Sequence, residues 1–189
     1  MTSKLKSIVI VGSGIAAWSV ANAISFHKRF KITIIGKQNT TYGAQQLSPN
    51  GISSYKQLVQ NVEISQDIKK LYNLKFSTIK KDCPITLSNY NLNKNNNFYG
   101  SIARSSLLKK LKFSALKNQN IKFENDEVDL FSQEEHNETK IITQLGKQHT
   151  ADLIIGADGF NGKSRTYVCG NETKKNKIIF MDLLQDLLY

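Results

Sequence analysis

The residues whose types and spacing point most directly to chemistry are Gly12-Ser13-Gly14-Ile15-Ala16-Ala17, a G-x-G-x-x-A series following the apolar run Ile8 to Val11. That run is β-branched throughout and reads as a buried parallel strand. Gly12 permits the tight turn out of the strand, and Gly14 has no Cβ to hold the backbone away from a pyrophosphate. Ala17 lets the following helix lie close to the sheet, and the N-terminal amides of that helix face the phosphate charge. All six residues therefore form a candidate dinucleotide-binding turn, in the strand-to-helix context that such a turn needs.

A second stretch, Ala157-Asp-Gly-Phe-Asn-Gly-Lys-Ser164, follows another apolar run, Leu153 to Ile155. It fits the loose form of a phosphate-binding P-loop, with Lys163 as the phosphate lysine and Asp182 as a magnesium-holding acid. Against that NTPase reading, only seven residues follow Asp182, and Gly170-Asn171 leaves the helix after Ser164 about one or two turns. His27, His136 and His149 lack metal-ligand spacing and read as surface residues. Cys83 and Cys169 form no C-x-x-C pair, which argues against a zinc site, a disulfide scaffold or a dithiol centre. No metal is expected, and the cysteine usage fits a reducing cytoplasm.

These groups need elements to hold them. A helix is expected from Ile15 to Phe26, with Trp18, Ala21 and Ile24 on its apolar side, then a strand over Phe30–Ile35, completing a β-α-β unit. At the end of that second strand a carboxylate normally accepts hydrogen bonds from a ribose. Here Gly36 and Lys37 stand instead. A small residue with a cation suits a 2′-phosphate, and Gln38 or Asn39 could instead bond the ribose; spacing leaves NADH against NADPH open. Residues Thr40 to Asn50 read as a loop, with Asn50 as N-cap of a helix through Tyr55, Leu58 and Val59. Lys94–Asn97 reads as a polar loop. A strand over Phe98–Ile102 leads to a helix from Arg104 to about Lys117. Strands follow at Ile121–Phe123 and Thr139–Thr143, separated by an acidic loop with Glu134, Glu135 and Glu138, before the buried strand Leu153–Ile155.

The chain has 189 residues, 40% of them hydrophobic, enough for one compact domain and little more. Its net charge of +11, from 26 Lys+Arg against 15 Asp+Glu, comes from scattered lysines without an arginine-rich or aromatic-interleaved run. A nucleic-acid partner is therefore not expected. No apolar run approaches a membrane span; a peripheral contact of the basic surface with a membrane stays open.

Four segments, in order, resemble the N-terminal half of a class A FAD-dependent monooxygenase, the group with salicylate-hydroxylase-like and ubiquinone-biosynthesis hydroxylases. They are Val9-Ile-Val-Gly-Ser-Gly14, Gly43-Ala-Gln-Gln-Leu-Ser-Pro-Asn50, Ile102-Ala-Arg-Ser-Ser-Leu-Leu108 and Ala151-Asp-Leu-Ile-Ile-Gly-Ala-Asp-Gly159 with Arg165 beyond. The resemblance implies an α/β, Rossmann-like FAD-binding fold: a parallel sheet with flanking helices, incomplete, with parts of a mixed β substrate domain. Residues 1–170 would be this truncated FAD/NAD(P)-binding region and 171–189 a divergent tail. The implied cofactor is FAD, with NAD(P)H as co-substrate and hydroxylation of a small aromatic substrate as the reaction. Gly12 and Gly14 would meet the FAD pyrophosphate and Arg104 the flavin or its ribityl chain. Asp158 and Gly159 would belong to an Asp-Gly motif serving both dinucleotides. Gly36 departs from the family, which carries an acid there. Such enzymes are about twice this length, so the expected chain is inactive alone and prone to self-association; a non-catalytic dinucleotide-binding module is the alternative.

Overall fold

The computed structural model describes residues 6–38, 41–59, 66–77, 86–91, 98–133 and 139–170. The chain opens with β1 (Lys6–Val11), α1 (Ile15–Ser25) and β2 (Phe30–Ile35). Next come β3 (Ala44–Leu47), α2 (Pro49–Leu58), β4 (Lys69–Leu71), β5 (Asn73–Ser77), β6 (Thr86–Asn91) and β7 (Tyr99–Ala103). The remainder is α3 (Arg104–Leu116), β8 (Ile121–Glu124), β9 (Val128–Gln133), β10 (Thr139–Thr143), β11 (Gln148–Thr150), β12 (Leu153–Gly156) and α4 (Lys163–Cys169). They fall into two compact units, Met1–Thr40 with Leu108–Tyr189, and Thr41–Leu107.

The first unit is built on a parallel sheet in the order β12-β1-β2-β8. In its register Ile8 lies opposite both Ile32 and Leu153, and Val11 opposite Ile35 and Gly156. One face carries α1, whose Ala17, Trp18 and Ala21 are buried, and the Trp18 ring lies 5.4 Å from Phe123 on β8. Asn22, also buried, donates from Nδ2 to the carbonyls of Trp18 and Leu111, both at 2.8 Å, so an otherwise costly amide ties α1 to α3. The other face, Val9, Val11 and Ile35, packs with Val128 and Ile141 of the antiparallel sheet β11-β10-β9. Each fully buried Val or Ile contributes about 1.5–3 kcal/mol. This sheet sandwiched between helices and a second sheet fixes where the strand ends lie.

Several expectations are corrected here. The stretch between Phe123 and Thr139 is not simply an acidic loop: it holds β9, while Glu134, Glu135 and Glu138 lie outside the described residues. The strand at Leu153–Ile155 is real but not buried. It pairs with β1 on one side only among the described residues, and Leu153 is 50% exposed. His149 is not a surface residue; it is half-buried with Nε2 3.6 Å from the Glu124 carboxylate. His27 is exposed and so is Cys169, whereas His136, Cys83 and Asp182 fall outside the described residues.

The second unit is antiparallel, with a three-stranded sheet β3-β7-β4 and the hairpin β5-β6. Residues 44–47, expected as loop, are a strand because pairing with β7 overrides their polar composition. The N-cap of α2 is Ser48 rather than Asn50. Pro49 takes the first helical position, where its fixed φ and missing N–H are tolerated, and the Ser48 hydroxyl accepts the Gly51 N–H at 3.2 Å. Ile52 and Tyr55 are the buried face of that helix. Lys94–Asn97 lies outside the described residues. Among the described residues no helix is long and apolar enough to cross a membrane.

Candidate functional site

At the carboxyl ends of β1, β2 and β12 lies a cleft of about 430 Å³, within the size range of small-molecule sites. Open α/β sheets bind ligands at such strand ends. Gly12 turns the chain out of β1 with φ 116°, and its N–H donates to Ile35 at 2.7 Å. A Cβ there would strike the Ala157 backbone and stand 2.8 Å from the Asp158 nitrogen. Gly12 is therefore fixed by the fold itself.

Gly14 is fixed by something else. It is the N-cap of α1, with extended backbone and no side-chain cap. A Cβ at Gly14 would meet no protein atom within 4 Å. It lines the cleft, so the space it leaves belongs to the cleft rather than to the core. Behind it, the Trp18 N–H donates to the Gly14 carbonyl at 3.2 Å, and the N–H groups of Ile15, Ala16 and Ala17 form the first turn of an 11-residue helix, where they have no intrahelical acceptor. Those donors and the helix dipole suit an anionic pyrophosphate.

Gly36 closes the end of β2. A Cβ on it would come within 2.7 Å of the Gly12 carbonyl carbon and of the Ser13 nitrogen. The glycine in place of an acid is thus a packing requirement of this turn. Ser13 donates its hydroxyl to the Lys37 carbonyl, binding the two loops together. Lys37 points its ammonium to Glu127, and both line the cleft. The hydrogen bond and charge of Lys37 hold the Glu127 carboxyl below its ordinary range. Glu127 was not singled out from the sequence, where no local pattern marks it.

Asp158 and Gly159 also line the cleft. The Asp158 carboxylate, however, accepts the Ser164 N–H at 3.0 Å and the Ser164 hydroxyl, so both of its oxygens face α4. It shapes the loop that Gly159, with φ 89°, turns. Lys163 donates to the Asp129 carbonyl at 2.7 Å and to its carboxylate at 3.1 Å. Its ammonium is thereby held on β9, which disfavours a P-loop role. Of the sequence-predicted site residues, Gly12, Ser13, Gly14, Lys37, Asp158 and Gly159 converge on one cleft. Ala17 is buried behind it and Ile15 and Ala16 begin α1. Arg104 belongs to the other unit, where it is exposed and its N–H donates to Gly43 at 3.0 Å.

No family model and no curated protein matches the sequence. Among solved structures, PqsL, a probable FAD-dependent monooxygenase from Pseudomonas aeruginosa, superposes with a TM-score of 0.71 at 14% identity, over 87% of this chain and 45% of PqsL. The FAD-monooxygenase fold is the fold of this chain. That fold also appears in 2-methyl-3-hydroxypyridine-5-carboxylic acid oxygenase, with a TM-score of 0.63 at 21% identity, over 85% of this chain and 41% of that one. It appears again in CtdE, solved in complex with FAD, with a TM-score of 0.60 at 21% identity, over 87% and 41%. PqsL has also been solved in complex with 2-aminobenzoylacetate. This chain spans less than half the length of each, and the FAD-monooxygenase fold expected from its motifs is present over most of its residues.

Proposed function

We propose that this chain is the FAD-binding portion of an NAD(P)H-using flavin monooxygenase that hydroxylates a small aromatic substrate. The observation that carries the reading is Gly14: the fold neither fills nor strains the position, and the space lies at a helix N-terminus in a cleft. A pyrophosphate fits that donor set. Gly12, Ser13 and Gly14 with the first turn of α1 would hold it. Bound FAD would supply the redox chemistry, taking reducing equivalents from NAD(P)H and activating oxygen. The chain's own residues would bind and orient the cofactor, and no side-chain nucleophile is required. The PqsL complex with an aromatic compound supports the substrate class. Leu153, Phe160 and Val168 are exposed around β12 and α4, which supports self-association of the 189-residue chain by itself.

The test is a fluorescence titration of the purified chain with FAD, together with its visible spectrum. Saturable binding supports the reading, with flavin absorption retained after gel filtration as the stronger result. No binding of FAD up to millimolar concentration overturns it.

A further inference from the structure

The doubly wound dinucleotide fold ordinarily places a carboxylate at the end of the second strand to accept hydrogen bonds from the adenosine ribose. Here the position is Gly36, and the Cβ contacts with Gly12 and Ser13 leave no room for one. The same corner of the cleft nevertheless holds a carboxylate. Glu127 comes from the turn between β8 and β9, and that turn is stitched to the end of β2. The Gly36 N–H donates to the Glu124 carbonyl at 3.2 Å, and the Gln38 N–H to Asn125 Oδ1 at 2.8 Å. The Glu127 carbonyl in turn accepts the Gln144 N–H at 2.8 Å, which fixes its backbone.

We propose that Glu127, held by Lys37 beside the end of β2, is the acceptor for the ribose hydroxyls of the bound dinucleotide. Of the two carboxylates lining the cleft among the described residues, Asp158 has both oxygens on Ser164. Glu127 is engaged by Lys37, and its side chain is still 44% exposed. Lys37 and the Gln144 side chain together occupy two of the carboxylate's roughly four acceptor sites, which leaves room for a hydroxyl. Lys37 and Lys163 keep it ionised, and an ionised acceptor bonds a hydroxyl more strongly than a neutral one. A carboxylate in this place also repels a 2′-phosphate, so Lys37 neutralises Glu127 instead of reading NADP.

The inference rests on the dinucleotide site proposed above and is tested separately from it. Wild type, Glu127→Gln and Glu127→Ala are titrated with FAD and with FAD analogues built on 2′-deoxyadenosine and 3′-deoxyadenosine, with circular dichroism melts verifying the fold. In wild type, loss of the bonded hydroxyl should weaken binding at least about tenfold. Glu127→Ala should bind FAD about tenfold more weakly and no longer distinguish it from the deoxy analogue, and Glu127→Gln, whose amide oxygen is a weaker neutral acceptor, should keep only part of the discrimination. If wild type binds FAD but ignores both deoxy substitutions, or if Glu127→Gln keeps full discrimination, the assignment of Glu127 is overturned while the FAD site stands. If wild type binds no FAD at all, both fall. Because Glu127→Gln changes one atom of a half-exposed side chain, the comparison survives even if the alanine variant fails to fold.

Discussion

The Asp158 carboxylate accepts both the N–H and the hydroxyl of Ser164, and Gly162 is the residue that lets it approach. A Cβ on Gly162 would sit 2.6 Å from Asp158 Oδ2. The Asp158 carboxylate is thus spent on the shape of the loop that Gly159 turns. Asp158→Ala should cost about 1–2 kcal/mol of stability, as loss of a helix cap does, and weaken FAD binding as the loop relaxes. Lys163→Ala removes only a half-exposed ion pair with Asp129 and should change FAD affinity less than about twofold. Chemical denaturation and FAD titration of the two variants check the ranking. ATP binding that is lost in the lysine variant would restore the P-loop reading.

Gly12 and Gly14 should separate folding from binding. Gly14→Val projects its methyls into the cleft, in extended backbone that any residue adopts. Its melting temperature should match wild type while FAD binding falls at least about a hundredfold. Gly12→Ala puts a Cβ into the Ala157 backbone at φ 116° and should lose about 2 kcal/mol or more of stability. Equal melting temperatures for the two variants would contradict this division.

Restoring an acid at the end of β2 should fail. Gly36→Glu forces a Cβ to within 2.7 Å of Gly12 and Ser13, where both neighbours are backbone and neither can swing aside. Expected is a loss of about 2–3 kcal/mol with no gain in FAD affinity. A stable Gly36→Glu chain that binds FAD more tightly would show that the turn yields.

Gly12 and Gly14 were legible because a strand, a turn and a helix are consecutive in the chain, and each small residue answers a local demand. Lys163 was misleading for the same reason: the local pattern suits a phosphate, but Asp129, 34 residues away, takes its ammonium. Glu127 was invisible because its place depends on how the turn after β8 docks on the end of β2, a contact across 90 residues with no periodicity of its own. Gln45 and Gln46 looked like loop until β7 supplied partners. Tertiary pairing decided each of these.

Acid should destabilise the chain in a defined window. The N–H and hydroxyl of Ser7 donate to Asp152 at 2.6 and 2.8 Å, and these bonds hold its carboxyl below the ordinary 3.8. Burial pushes Asp126 up, but hydrogen bonds from Thr143 and the Glu127 backbone, with the charge of Lys147, outweigh it and leave that carboxyl lowered too. A group with a lowered folded-state value binds fewer protons folded than unfolded, so its stabilisation is complete above the unfolded value. It fades as pH falls through the folded one. With Glu127 shifted in the same direction from 4.5, melting temperature should be flat near neutrality and drop once pH falls below about 4.5. Ser7→Ala should shallow that acid slope, measured by thermal melts at stepped pH.

The 189-residue chain by itself should consume NAD(P)H without coupled hydroxylation. The three solved proteins whose fold it shares are covered over only 41 to 45% of their length, so more than half of each has no counterpart in these residues. At the strand ends the described residues build a cleft lined by Gly12, Gly14 and Glu127, among others. Oxygen transfer to a ring requires that water be kept from the reacting centre, and such shielding is not expected from this portion by itself. FAD should bind in the micromolar range, about −8 kcal/mol. Any oxidation of NAD(P)H should yield hydrogen peroxide in place of a hydroxylated product. The check is incubation with FAD, NADPH, oxygen and a panel of phenols and aminobenzoyl compounds, with peroxide and products quantified together. Hydroxylated product in proportion to NADPH consumed would show that these residues alone shield the reaction.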